Sequence, residues 1–279
     1  MEIRQFNDID WNKLWREAKK KKTWKKKDAG DWDRRADSFA ARTASSVYQD
    51  KFIEKLDPPP SWSVLDVGSG PGTLALPLAS RVRRVAALDF SERMLAILRE
   101  RAQKKGLANI TTFQLSWNDD WSQHDVGQYD LVIASRSLAV KDLRQALEKL
   151  TRHARKLVCI TDRVRHGPFD PDAFTAIGRP MRSGPDFIYT VNLLYQMGHL
   201  PRVDFIHLRE DMQYRSFQDA LEGYRWMFQH LTEDEEKRLQ DYIHSISSRQ
   251  PDGTISLRRK HVPVWAFITW QPKGEEQQY

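Results

Sequence analysis

Residues 65–79 read LDVGSGPGTLALPLA: a short apolar strand, three glycines at alternate positions, then an apolar stretch of helical character. Glycine tolerates backbone dihedrals that a Cβ forbids and lets another group approach the main chain closely. A bare turn between a first strand and a first helix therefore constrains both the fold and its use. The pattern that follows alternates. SVLDVG, RVAALD, NITTFQLS, YDLVIAS and RKLVCITDR read as strands. TLALPLASRV, SERMLAILRERAQKKG and KDLRQALEKLTRHA read as helices between them, with Pro77 a reason to shorten the first. Ser91 is placed to cap the second helix and Gly106 to end it. Strands alternating with helices predict right-handed crossovers and a parallel, doubly wound α/β sheet.

Two segments lie outside that alternation. Residues 1–60 read as an N-terminal helical extension: Ile9, Leu14 and Trp15 fall near one helical face, and Trp32, Ala36, Phe39, Val47, Phe52 and Leu56 recur at helical intervals with a break near residues 43–46. Proline at 58–60 stops that helix. Residues 163–260 are too long for a simple connection and predict a largely helical inserted cap. It includes one further strand, RVDFIHL, and begins with a Gly- and Pro-rich loop. The core spans 61–162, and 261–279 hold a closing strand, VPVWAFITW, and a tail. The whole predicts a mostly parallel seven-stranded sheet.

Among 279 residues, 40% are hydrophobic and 30% charged, which fits a globular chain. No apolar run approaches the roughly 20 residues of a membrane helix, so no membrane span is expected. The N-terminus shows no apolar signal segment, and a lone cysteine, Cys159, permits no internal disulfide; a reducing, cytoplasmic location is the simplest reading. The net charge of +7 is concentrated at 19–27, KKKKTWKKK. That run reads either as a solvated helix end or as a basic arm for RNA, an anionic membrane or an acidic substrate.

The glycine turn sits at the carboxyl edge of the sheet, where such folds bind ligands. A dinucleotide would want glycine or alanine at Thr73, and Asp66 would set a negative charge near its pyrophosphate. A cationic ligand suits Asp66 better. S-adenosylmethionine carries a sulfonium and an ammonium and no phosphate. Asp89 ends the second strand, where a carboxylate can accept hydrogen bonds from both ribose hydroxyls. VLDVGSGPGTLALPLA, VAALDFSERML and YDLVIASRSL together resemble the successive motifs of class I S-adenosylmethionine-dependent methyltransferases, over about residues 62–162. The resemblance implies a Rossmann-like fold in which Asp66, Gly68, Gly70 and Gly72 line the methionine end. It implies that Asp89 holds the ribose, that Phe90 and Met94 flank the adenine, and that Trp117, Asn118 or Asp119 reaches its edge. The loop SWNDDW departs from the family's usual small-residue–acid pair there.

The acceptor is less constrained. No NPPY or DPPY follows the fourth strand, which disfavours the amino-methylating DNA and RNA type. Cys159 lies inside an apolar strand and reads as core. The eight histidines show no metal spacing, so no metal is expected. Ser135, Arg136 and Ser137 end the fourth strand at the substrate side, Ser135 close enough to count among cofactor contacts. Arg136 either binds an acceptor's carboxylate or phosphate or pairs with an acid such as Asp130 or Asp162. Asp162 and His166, after the fifth strand, are candidate bases. The expected activity is methyl transfer to a small acceptor, anionic if Arg136 anchors it. An RNA methyltransferase using the lysine arm and a non-catalytic S-adenosylmethionine-binding protein remain alternatives. The acceptor atom and the oligomeric state stay open.

Overall fold

The computed structural model describes residues 5–23, 28–43, 46–228 and 230–272. Three helices precede the sheet: α1 (Trp11–Lys20), α2 (Ala29–Thr43) and α3 (Val47–Leu56). Asp10 caps α1 by accepting the Lys13 N–H at 2.8 Å. Trp15 is buried on the inner face of α1, but Leu14, expected beside it, is 41% exposed. The partly buried Trp11 takes that place, one turn before Trp15. Asp57 adopts a left-handed φ of +33° and ends α3 ahead of the prolines.

The core then alternates as expected: β1 (Ser63–Val67), α4 (Ala75–Ala79), β2 (Arg84–Asp89), α5 (Glu92–Lys104), β3 (Ile110–Gln114), β4 (Tyr129–Ser135), α6 (Leu143–His153) and β5 (Ala154–Arg163). α4 is the shortened helix; Pro77 sits in its first turn, where a missing N–H leaves no broken bond. The Ser91 hydroxyl caps α5 through the Met94 N–H, and Gly106 follows it at φ +66°. Past β5 come α7 (Pro171–Ala176), α8 (Phe187–Gln196), β6 (Arg202–His207), β7 (Met212–Tyr214), α9 (Phe217–Arg225), α10 (Glu233–Ile246), β8 (Ser247–Arg249), β9 (Ile255–Leu257) and β10 (Val264–Trp270).

Seven strands form one sheet in the order β3-β2-β1-β4-β5-β10-β6. The first five are parallel, and β10 runs antiparallel to both β5 and β6. All of β1 is buried, as a central parallel strand covered on both faces must be. Its alternation divides the core. Leu65 and Val67 join the core that holds Leu147 of α6 and Leu193 of α8, and Val64 joins the one that holds Phe52 of α3 and Leu78 of α4. Strand order reverses between β1 and β4, so a crevice opens at their carboxyl ends.

The inserted segment splits in two. α8 and β6 join the main sheet and its core. α7, α9 and α10 enclose a separate core around Phe174, Leu221, Tyr224, Leu239 and Ile243. They carry a small antiparallel sheet, β7-β9-β8, beyond the single strand read from the sequence. Strands of three residues are too short to show a period-two pattern.

Candidate active site

The three glycines of the turn do three different jobs. Gly68, Gly70 and Gly72 all take left-handed φ values, +71°, +54° and +85°. A Cβ on Gly68 would lie 2.5 Å from Cβ of Ser137, so this glycine lets the β4 loop close onto the turn. The Ser137 hydroxyl fastens that join by donating to the Val67 carbonyl at 2.7 Å. A Cβ on Gly72 would strike Leu76 and Leu98 at 2.9 and 3.0 Å; it serves helix packing and does not line the cavity. A Cβ on Gly70 would meet only the Phe39 ring edge, at an ordinary 3.9 Å, and the Gly70 N–H donates to Asp89 Oδ2 at 2.8 Å.

Beside the turn lies a cavity of about 570 Å³, an ordinary size for a small-molecule site. Asp66 forms part of its wall and is 2% exposed, yet its Oδ2 has no hydrogen-bond partner. Burial, and then the charge of Asp89, push its pKa up to about 7. The buried Ser69 hydroxyl at the same wall is also without a partner. Asp89 accepts the Ser91 N–H at Oδ1, 2.9 Å, and the Gly70 N–H at Oδ2. Burial raises its pKa too. Each of its oxygens keeps a further lone pair for a ligand hydroxyl.

Phe90, Met94, Trp117 and Asn118 continue the wall, and Trp32 and Phe39 of α2 cover it. Met94 also packs beneath Ala36 and Ala40 of α2. The Trp117 indole donates to the Ser137 carbonyl at 3.0 Å, which holds the β3 loop against the β4 loop. Asp119 lies off the wall: its carboxylate accepts the Ser116 N–H at 2.7 Å, a bond that lowers its pKa and closes the loop.

The far end of the wall carries Ser135, Arg136, Ser137 and Lys141. Ser135 pairs in register with Thr161 of β5. The Tyr48 hydroxyl of α3 reaches between them, 2.5 Å from Ser135 Oγ and 2.7 Å from Thr161 Oγ1. Burial pushes the Tyr48 pKa above its ordinary value, which keeps that hydroxyl protonated. Arg136 is held at φ +56°, and its N–H donates to Thr161 Oγ1 at 3.0 Å. Its guanidinium lies 4.0 Å over the Tyr48 ring, and no carboxylate pairs with it among the described residues. The acids considered for it are engaged elsewhere. Asp130 takes Lys156 at 3.1 Å and the Ser63 hydroxyl at 2.8 Å. Asp162 takes the Thr190 hydroxyl and the Arg163 N–H, both at 2.8 Å.

Neither candidate base reaches this wall. Asp162 points to α8 through Thr190. His166, in the inserted segment, sits 2.7 Å from Ser183 Oγ with its ring against His261. Among the described residues no group of acids, histidines or cysteines is placed to hold a metal, and no helix is long and apolar enough to cross a membrane. Part of the lysine run, 24–27, lies outside the described residues.

A family model for a methyltransferase domain matches residues 64–156. Over 243 residues the chain is 37% identical to an uncharacterised protein of Haemophilus influenzae, covering 86% of this chain and 88% of that one. Coclaurine N-methyltransferase bound to N-methylheliamine and S-adenosylhomocysteine shares the fold at a TM-score of 0.52 and 14% identity, over 95% of this chain and 87% of that one. The chain belongs to the class I S-adenosylmethionine-dependent methyltransferases. The ubiquinone/menaquinone biosynthesis C-methyltransferase of Allorhizobium ampelinum is 34% identical over 122 residues, only 40% of this chain and 47% of that one.

The cofactor of this methyltransferase is S-adenosylmethionine, and the site suits it. A buried carboxylate oxygen and a buried hydroxyl without partners call for a cationic, hydrogen-bonding ligand. Tyr48 and Thr161 escaped the sequence reading. Ser135 and Thr161 were findable as polar residues ending adjacent strands. Tyr48, 87 positions from Ser135, carries no local signal.

Proposed function

We propose that this methyltransferase methylates a small acceptor bearing an anionic group, which Arg136 holds at the β4 end of the cavity. One observation carries the reading: Arg136 lines the cavity with no carboxylate partner among the described residues. A guanidinium fork suits a carboxylate or phosphate. At the other end, Asp66 receives the ammonium of S-adenosylmethionine and Asp89 its ribose hydroxyls. Phe90 and Met94 flank the adenine, with Trp117 and Asn118 at its edge. S-adenosylmethionine supplies, when bound, a methyl carbon activated by a sulfonium. The chain's part is alignment and exclusion of water. Arg136 orients the acceptor, and Trp32 and Phe39 cover the cavity. The partial likeness to a quinone-pathway C-methyltransferase supports a small-molecule acceptor.

The test supplies labelled S-adenosylmethionine to the enzyme with a metabolite extract split by anion exchange, with and without ribonuclease. Label is expected in a ribonuclease-resistant small molecule drawn from the anionic fraction. Label that ribonuclease removes makes RNA the acceptor. Label only from neutral or cationic fractions overturns the anionic acceptor.

A further inference from the structure

Arg136 is exposed, but it is not loose. Its backbone is held in a left-handed conformation that residues other than glycine rarely adopt, at φ +56°. The Thr161 hydroxyl takes its N–H, and the same hydroxyl lies 2.7 Å from the Tyr48 hydroxyl. The guanidinium is 4.0 Å over the Tyr48 ring and 5.9 Å from the Trp265 ring. Those rings meet edge to face, 6.2 Å apart at 67°, and so form a corner. Tyr48 is 2% exposed and Trp265 8%, so the corner is fixed by the core. With its Cζ over the ring and no carboxylate on it among the described residues, the guanidinium keeps N–H groups to offer to the cavity that Arg136 lines.

We infer that Tyr48 is a positioning residue, whose ring holds the Arg136 fork edge-on to the cavity as a subsite for a carboxylate or phosphate of the acceptor. The inference rests on the anionic-acceptor reading for its ligand, but its geometry stands on the four chain segments that meet there. Core packing fixes the Tyr48 ring, and the ring face fixes the arginine. Removing the hydroxyl leaves Ser135 and Thr161 able to pair with each other, since their oxygens already lie 3.4 Å apart. Tyr48→Phe therefore keeps the subsite, whereas Tyr48→Leu loses it.

The test uses the full chain saturated with S-adenosylhomocysteine, and benzoate, phenyl phosphate and uncharged benzamide as probes. The Arg136 Nε–H resonance, assigned by its loss in Arg136→Gln, is expected upfield of ordinary arginines because of the Tyr48 ring current. It should stay there in Tyr48→Phe and return in Tyr48→Leu. Benzoate or phenyl phosphate should bind more tightly than benzamide, the better of the two showing which acid the subsite prefers. That binding should weaken roughly tenfold in Tyr48→Leu and less than about twofold in Tyr48→Phe, with S-adenosylhomocysteine affinity unchanged in both. An ordinary Arg136 resonance in the parent protein overturns the positioning role, whether or not Tyr48→Leu folds. So does a Tyr48→Phe variant that loses the ring shift. A ring-shifted Arg136 with no preference for either anion over benzamide instead overturns the anionic acceptor.

Discussion

One end of the cavity comes from a single strand–turn–helix–strand unit, β1 to β2, and the other is gathered from distant parts of the chain. At the acidic end, Gly70 and Asp89 are 19 positions apart and share a backbone-to-carboxylate bond. At the basic end, Tyr48 reaches Ser135 and Thr161 across 87 and 113 positions, and Trp265 comes from the closing strand. The acidic end is built from residues near one another in sequence: the Asp66 and Asp89 carboxylates on β1 and β2 and the glycine turn between them. The basic end depends on side chains meeting across α3, β4, β5 and β10.

The sharpest way to break the contrast is at the join. Gly68→Ala sets a Cβ 2.5 Å from Ser137 at a φ of +71°. Left-handed backbone and overpacking together should cost about 2–5 kcal/mol. Thermal unfolding should show the loss, with cofactor binding abolished. Gly70→Ala, whose Cβ makes only an ordinary contact with Phe39 at 3.9 Å, should cost only about 1–2 kcal/mol.

Asp66 comes next. Its pKa rises from 3.8 to about 7 by burial, so the empty protein holds a proton there that the unfolded chain releases near pH 4. Stability contributed by that proton falls as pH rises from about 4 to about 7. The carboxylate's burial then costs up to about 4 kcal/mol above pH 7. Asp66→Asn should raise the Tm of the empty protein at pH 8 and leave it nearly unchanged at pH 4. In the parent, binding of the cationic cofactor should expel the proton and so tighten as pH rises toward 7. Calorimetry in buffers of different ionisation enthalpy checks the released proton, and Asp66→Asn should flatten the pH profile.

Asp89→Ala should weaken S-adenosylhomocysteine by about 1.5–3 kcal/mol, the range for hydrogen bonds to a charged group. Isothermal titration reads this directly, and unchanged affinity would remove Asp89 from the ribose. The smallest effect is expected off the wall. Asp162→Asn disturbs one bond to Thr190 and should lower stability by about 0.5–1.5 kcal/mol, leaving cofactor affinity as it was.

The same contrast explains what could be read from the sequence. Gly68, Asp66, Asp89, Phe90 and Met94 line the cavity where their local motif predicts, because strand, turn and cap are short-range features. Ser91 caps α5 for the same reason. Gly72 belongs to that unit and Asp119 to the loop after β3, but spacing alone does not say which members of a turn face a ligand. Gly72 packs on leucines, and Asp119 turns back on Ser116. Asp162 and His166 were placed by strand position; side-chain direction decided otherwise, toward Thr190 and Ser183. Tyr48 and Trp265 look like core aromatics in sequence, and only the fold puts them beneath Arg136.

A crystal structure with S-adenosylhomocysteine bound tests the division of the cavity most directly. The account predicts the ribose hydroxyls on Asp89, the ammonium on the Asp66 side, and the sulfur open toward Arg136. An adenosine reversed in the cavity, or a sulfur turned away from Arg136, would contradict it.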